Sequence, residues 1–215
     1  RLDNYGSEPA AGGIGVAPQA ALVNFMDNHD VSRFLFEQPD VERLHLALAF
    51  LLTIDGIPCI YYGTEQAFDG GNDPGNREVL WDTGYDTTGE TFGVTRDLIA
   101  LRKALLPLRR GNLTVRWSTD HVADEDDAGI FAFDREIDGE RVLLVFNTSL
   151  ETTSVTSADG TDMDTGFAGG TTLVDVWQDV QGSHDVAGDG TIRIELPPGT
   201  AMILVEESTA SALAL

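Results

Sequence analysis

The chain has 215 residues, 42% of them hydrophobic, which is enough to bury a core and excludes a disordered tail. Its 36 acidic against 13 basic residues give a formal net charge of -23, with Lys103 the only lysine, and that balance excludes nucleic acid as a partner. No apolar run approaches the roughly 18 to 20 residues of a membrane span, so no membrane partner is expected.

Residues 1–20, rich in Gly, Ala and Pro without a period, read as loop. "ALVNFM" (21–26) is a continuous apolar run of strand length, expected to be covered on both faces as in a parallel sheet. It ends in Asp27, His29 and Asp30. Pro39 breaks the chain, Asp40 is placed to cap a helix, and Glu42 suits the positive end of its dipole. Val41, Leu44, Leu48 and Leu51 then hold helical spacing to about Ile54. After Gly56 and Pro58, "CIYY" (59–62) reads as a second short buried strand, with Cys59 a small buried hydrophobe. A long loop, "GTEQAFDGGNDPGNRE" (63–78), follows. "VTRDLIALRKALL" is amphipathic, with Leu98, Leu101 and Leu105 on one face and Pro107 closing it.

Past residue 110 the pattern changes to short alternating or apolar runs between Gly, Asp and Ser turns: "LTVRWS", "GIFAFDRE", "RVLLVFNTS", "TTLVDVW", "TIRIEL" and "AMILVEE". This predicts an antiparallel all-β sandwich. The expected domains are 1–110, 111–207 and a loose tail, 208–215. Two strand-helix units cannot close a parallel sheet, so the first part is expected to have partners upstream. Residue 1 is Arg, and an export signal is expected to have been removed or to lie upstream.

In parallel βα architectures the loops after the strand ends form the face that meets ligand. Asp27, His29 and Asp30 fall at one such end, and Glu65, Asp69, Asp73 and Arg77 after the next. Carboxylates, imidazole and guanidinium together suit a neutral polyhydroxylated ligand, and carboxylates stabilise an oxocarbenium-like transition state.

"FMDNHD", "DGIPCIYYGTEQ" and "GGNDPGNRE" together resemble the last third of the α-amylase family of retaining glycoside hydrolases, most closely secreted amylases acting on starch. The resemblance implies an α/β plus all-β chain: strands seven and eight of a (β/α)8 barrel with their helices, followed by an antiparallel β-sandwich. It implies that Asp30 is the third catalytic carboxylate, gripping and helping distort the sugar at the cleavage subsite, with His29 bonding a hydroxyl of the same sugar. Asp73 and Arg77 would hold glucose units further along. The family's nucleophile and acid/base come from strands absent here, so the chain alone is expected to be inactive. The implied partner is an α-glucan such as starch or maltooligosaccharides, and the implied setting extracellular. Relatives with the same barrel that cleave cyclodextrin or pullulan, or transfer glycosyl groups, are an alternative, as is a non-catalytic glucan-binding module.

Each residue also has a plainer reading. Asp30 serves as a turn aspartate, His29 as a structural histidine, Arg77 as an ion-pair partner of Asp73, and Glu65 as a residue that orders its loop. Trp81, Trp117 and Trp177 are packing residues or glucan-stacking platforms. No cofactor is expected within the chain; calcium belongs to segments of a full-length enzyme. "DGTDMDTG" fails the EF-hand spacing, since counting from Asp162 puts Phe167 where the turn glycine belongs. "DEDD" (124–127) reads as a solvated turn. The acid excess fits adaptation to high salt or simply an acidic soluble protein. Oligomeric state is left open.

Overall fold

The computed structural model describes residues 15–119, 129–149, 151–178 and 182–213; most of the expected N-terminal loop, the "DEDD" turn and the last two residues lie outside them. The chain divides into two compact units, Arg1–Lys103 and Ala104–Leu215.

In the first unit a short helix, α1 (Pro18–Ala21), leads into strand β1 (Val23–Asn24), then α2 (Phe34–Glu37), α3 (Val41–Thr53), β2 (Ile57–Pro58) and α4 (Glu90–Ala104). β1 and β2 pair in parallel with Val23 opposite Ile57, the helix α3 forming the crossover. Asp40 caps α3 as its position predicts, its carboxylate accepting from the Glu42 and Arg43 amides at 2.9 and 3.3 Å. Leu44, Leu48 and Leu52 of α3 are buried, as are Leu98 and Leu101 of α4. Arg102 of α4 donates to the carbonyls of Leu52 and Gly56, satisfying backbone acceptors where α3 ends.

Three local expectations are corrected. The strand regions are two residues each, not "ALVNFM" and "CIYY", and neither is buried: Val23, Phe25 and Ile57 are about half exposed, and Cys59 is exposed. The cause is that among the described residues β1 and β2 pair only with each other, so both are edge strands. Pro107 does not simply end a helix; it sits in the first turn of α5 (Leu106–Arg110), where its missing N–H leaves no bond unmade. α5 packs on strands of the second unit, and the compact units divide between Lys103 and Ala104.

The second unit runs α5, β3 (Asn112–Ser118), β4 (Ile130–Ile137), β5 (Glu140–Asn147), β6 (Ser154–Val155), β7 (Ser157–Ala158), β8 (Thr161–Asp164), β9 (Thr172–Asp175), β10 (Ser183–Asp185), β11 (Thr191–Ile192), β12 (Glu195–Leu196), β13 (Ala201–Glu206) and α6 (Glu207–Ala212). A six-stranded sheet of order β10-β9-β13-β5-β4-β3 is faced by the smaller groupings β11-β8-β7 and β12-β6. Every pairing recorded in this unit is antiparallel. Between the layers lie Ile130, Leu143, Val145, Met163, Leu173, Ile192, Leu196, Met202 and Leu204, an antiparallel β-sandwich core. "TIRIEL" splits between β11 and β12, which belong to different groupings. Residues 207–212 form a helix in contact with β13 and β9, where the sequence reads as a loose tail.

Charge is also buried here. Asp134 of β4, fully buried, accepts from Arg116 of β3 at 2.9 Å and pairs with Arg141 of β5; Arg116 reaches on to Asp164 of β8 at 3.2 Å. Asp164 and Asp162 of the "DGTDMDTG" run are thus occupied by ion pairs, the latter with Arg193 at 4.0 Å.

Candidate functional site

The loop after β1 (residues 25–33) and the long loop after β2 (residues 59–79) are laced together at the same end of the first unit. Asp27 does not face solvent as its position suggests. It is buried, accepting from the Thr64 hydroxyl at 3.0 Å and the Phe34 amide at 3.2 Å. Asn76, also buried, donates from Nδ2 to the carbonyls of Val31 (2.7 Å) and Asn28 (3.3 Å), and Ser32 donates to Asn72 at 3.1 Å. The polar groups of one loop therefore satisfy the backbone of the other.

Arg33 is the centre of this lacing. Its side chain is fully buried, its amide donates to Gly70 O at 2.9 Å, and its Nε donates to Glu78 Oε2 at 2.9 Å. The other Glu78 oxygen accepts from the Gly70 amide at 2.6 Å, closing a ring of contacts across the two loops. A Cβ at Gly70 would run into the Gly75 carbonyl and the Glu78 carboxylate, so only glycine fits. The guanidinium lies 4.2, 5.1 and 5.4 Å from the ring centroids of Tyr61, Tyr62 and Phe68. Its two terminal nitrogens have no hydrogen-bond partner among the described residues, and the aromatic faces provide the compensating attraction. Burial and the adjoining Tyr62 hydroxyl hold the Tyr61 phenol above its ordinary pKa.

On this frame four polar side chains reach solvent. His29 Nε2 and Asp30 Oδ1 are 3.3 Å apart, with side chains 62% and 71% exposed. Arg77 Nε and Asp73 Oδ1 are 3.0 Å apart, and Arg77 Nη2 donates to the backbone carbonyl of His29 at 3.3 Å. The Asp30 amide donates to Asn28 Oδ1 at 2.7 Å, fixing the turn that presents the carboxylate. The two pairs named from sequence are thus neighbours, joined through Arg77. Of the rest, Asp69 is exposed, while Glu65 turns back to accept from the Gly63 amide at 2.9 Å, ordering its own loop. Arg33, Glu78 and Asn76 were given no role by sequence, although all three lie in or beside the quoted motifs. Nothing in composition distinguishes an exposed loop charge from a buried one.

Chemically, the face offers two carboxylate acceptors, an imidazole and a guanidinium to a ligand rich in hydroxyls. Among the described residues no group of three or more His, Cys, Asp or Glu could hold a metal ion.

No family model matches the chain. Alpha-amylase 1 of Schwanniomyces occidentalis is 30% identical over 191 residues, covering 88% of this chain and 35% of that protein. The alpha-amylase of Saccharomycopsis fibuligera is 32% identical over 194 residues, with the same shares. The chain belongs to the α-amylase family. It corresponds to the carboxyl-terminal part of these enzymes and spans about a third of their length. A crystal structure of an Anoxybacillus alpha-amylase matches 89% of this α-amylase-family chain and 39% of its own, with a TM-score of 0.73 and 29% identity. The γ-cyclodextrin glucanotransferase of alkalophilic Bacillus clarkii matches 86% and 26%, with a TM-score of 0.70 and 30% identity. The fold of this family member is therefore the end of the (β/α)8 barrel followed by the β-sandwich.

Proposed function

We infer that this chain contributes the sugar-gripping face of an α-amylase that hydrolyses internal α-1,4-glucosidic bonds of starch or related glucans with retention. Asp30 holds the sugar at the point of cleavage and stabilises the developing positive charge, and His29 bonds the same sugar. Asp73 and Arg77 hold the neighbouring glucose units. The nucleophile and the acid/base, which such chemistry needs about 5 to 5.5 Å apart, come from outside these residues. Alone, the chain binds but does not cleave. A polymeric substrate places the enzyme outside the cell.

The reading is supported above all by the adjacency of His29, Asp30, Asp73 and Arg77, bridged by the Arg77 contact to the His29 carbonyl. Calorimetric titration of the 215-residue chain with maltoheptaose tests it. Asp30→Asn and Arg77→Gln should each weaken binding roughly tenfold, the scale of one lost charge-assisted hydrogen bond. Absence of heat from the unaltered chain at millimolar ligand removes the reading, and unchanged affinity in both variants removes these residues from it. A second reading, glycosyl transfer, is favoured by the cyclomaltodextrin glucanotransferase of Bacillus sp. (strain 1-1), 37% identical over 135 residues. The product spectrum of the complete enzyme on starch, linear or cyclic, separates the two.

A further inference from the structure

The segment that follows Arg77 and Glu78 carries apolar side chains out into water. Val79, Trp81 and Tyr85 are 58%, 74% and 56% exposed, and Trp81 is the most exposed large hydrophobic among the described residues. The indole and phenol rings meet edge to face, with centroids 6.1 Å apart and planes at 77°.

The segment is held rather than loose. Leu80–Thr83 is a single 3-10 turn in which the Thr83 hydroxyl donates to Leu80 O at 2.8 Å and accepts from the Tyr85 amide at 3.0 Å. Tyr62 donates to Glu78 O at 3.0 Å on one side, and Gln66 donates to Asp86 O at 2.8 Å on the other. Tyr85 itself sits at φ 57°, a backbone region that bulky residues avoid, with its ring beside Trp81. The aromatic pair is thus presented to solvent by a pinned backbone.

We propose that Trp81 and Tyr85 form an aromatic platform on which an α-glucan chain stacks, extending the grip of Asp73 and Arg77 along the polymer. The ligand class rests on the function proposed above, and two observations, with the chemistry of a glucan, favour it over other occupants. Asp82 and Asp86 rim the pair in sequence, and the chain's net charge is -23, so a polyanion is repelled, as is a second copy with the same excess. A neutral glucan has C–H-rich ring faces for the two aromatic rings and hydroxyl donors for the carboxylates. Trp81 also follows Arg77 by four residues, so their Cα atoms lie within about 14 Å, a few glucose units at most.

Trp81 is the only tryptophan of the first unit, which makes it its own reporter. The 215-residue chain is titrated with maltoheptaose and with maltose, following tryptophan emission and heat. Trp81→Ala should weaken maltoheptaose binding roughly tenfold and abolish the emission change, while leaving maltose, too short to span both places, unaffected. Trp81→Phe should keep most of the affinity, and Tyr85→Ala should lose part of it. Because Trp81 is so exposed, these variants should keep the far-ultraviolet spectrum. Equal affinity of the unaltered chain and Trp81→Ala for maltoheptaose overturns the platform and leaves the proposed function standing. No binding of either sugar by the unaltered chain overturns both. An unaltered chain that sediments as a dimer, made monomeric by Trp81→Ala, also overturns the platform, because the rings then serve self-association.

Discussion

The Arg33–Glu78 pair makes an unequal prediction about its two members. Arg33 is fully buried, whereas the Glu78 side chain keeps 24% of its surface in water. Changing Glu78→Gln removes the countercharge and leaves a guanidinium sealed among Tyr61, Tyr62 and Phe68 with two unpartnered nitrogens. Breaking a buried pair in this way is destabilising by about 3–5 kcal/mol. Changing Arg33→Met instead leaves the carboxylate free to hydrate at its exposed edge while still accepting from Gly70, and the methionine stem still fills the aromatic cage. That change should cost only about 1–2 kcal/mol, for one lost charged hydrogen bond and the cation–π contact. Amide hydrogen exchange of residues 25–33 and 59–79 under increasing urea measures both, since these loops open together if the pair fails. Glu78→Gln should expose them at clearly lower urea than Arg33→Met. The reverse order, or equal midpoints, would refute the argument from burial.

His45 of α3 has its pKa lowered by burial, against the opposing fields of Glu90 and Glu42, and its Nε2 lies 2.9 Å from the Thr91 hydroxyl. A histidine pKa below its unfolded value of about 6.5 means that the unfolded chain takes up the proton first. Stability of the first unit is therefore full above about pH 6.5 and falls as acid is added below it. His45→Gln should flatten that slope in exchange measurements of α3, and an unchanged slope would remove His45 as its source. In the second unit, Asp134→Asn should be destabilising by about 3–5 kcal/mol, because Arg116 and Arg141 lose the buried carboxylate between them and only the exposed Asp164 remains nearby. The urea midpoint of the β-sandwich reads this directly, and a shift under 1 kcal/mol would show the ion cluster to be dispensable.

How much could be read beforehand depended on the range of the forces involved. The helix capped by Asp40 was legible because its cap and apolar spacing are local. The strands β3, β4, β5 and β13 were legible because each sustains an alternating or apolar pattern over six to eight residues. β6 and β7 are two residues each and carry no period to detect. "ALVNFM" misled because an apolar run predicts burial only where neighbouring strands cover it. The exposed charges at positions 29, 30, 73 and 77 stand in motifs, while Asp27 and Arg33 look alike in sequence to Asp30 and Arg77. Only the crossing of two loops some 45 residues apart decides which charges are sealed in.

Between residues 28 and 31 the recorded contacts of the first loop with the second are made by main-chain carbonyls, whereas Asp27, Ser32 and Arg33 on either side engage it through their side chains. Arg77 takes the carbonyl of His29, and Asn76 takes those of Asn28 and Val31. Side chains at positions 29, 30 and 31 can therefore be exchanged without loosening the junction. Single substitutions there can change what the exposed face presents while the scaffold stays indifferent, so that one framework tolerates several surface chemistries in turn.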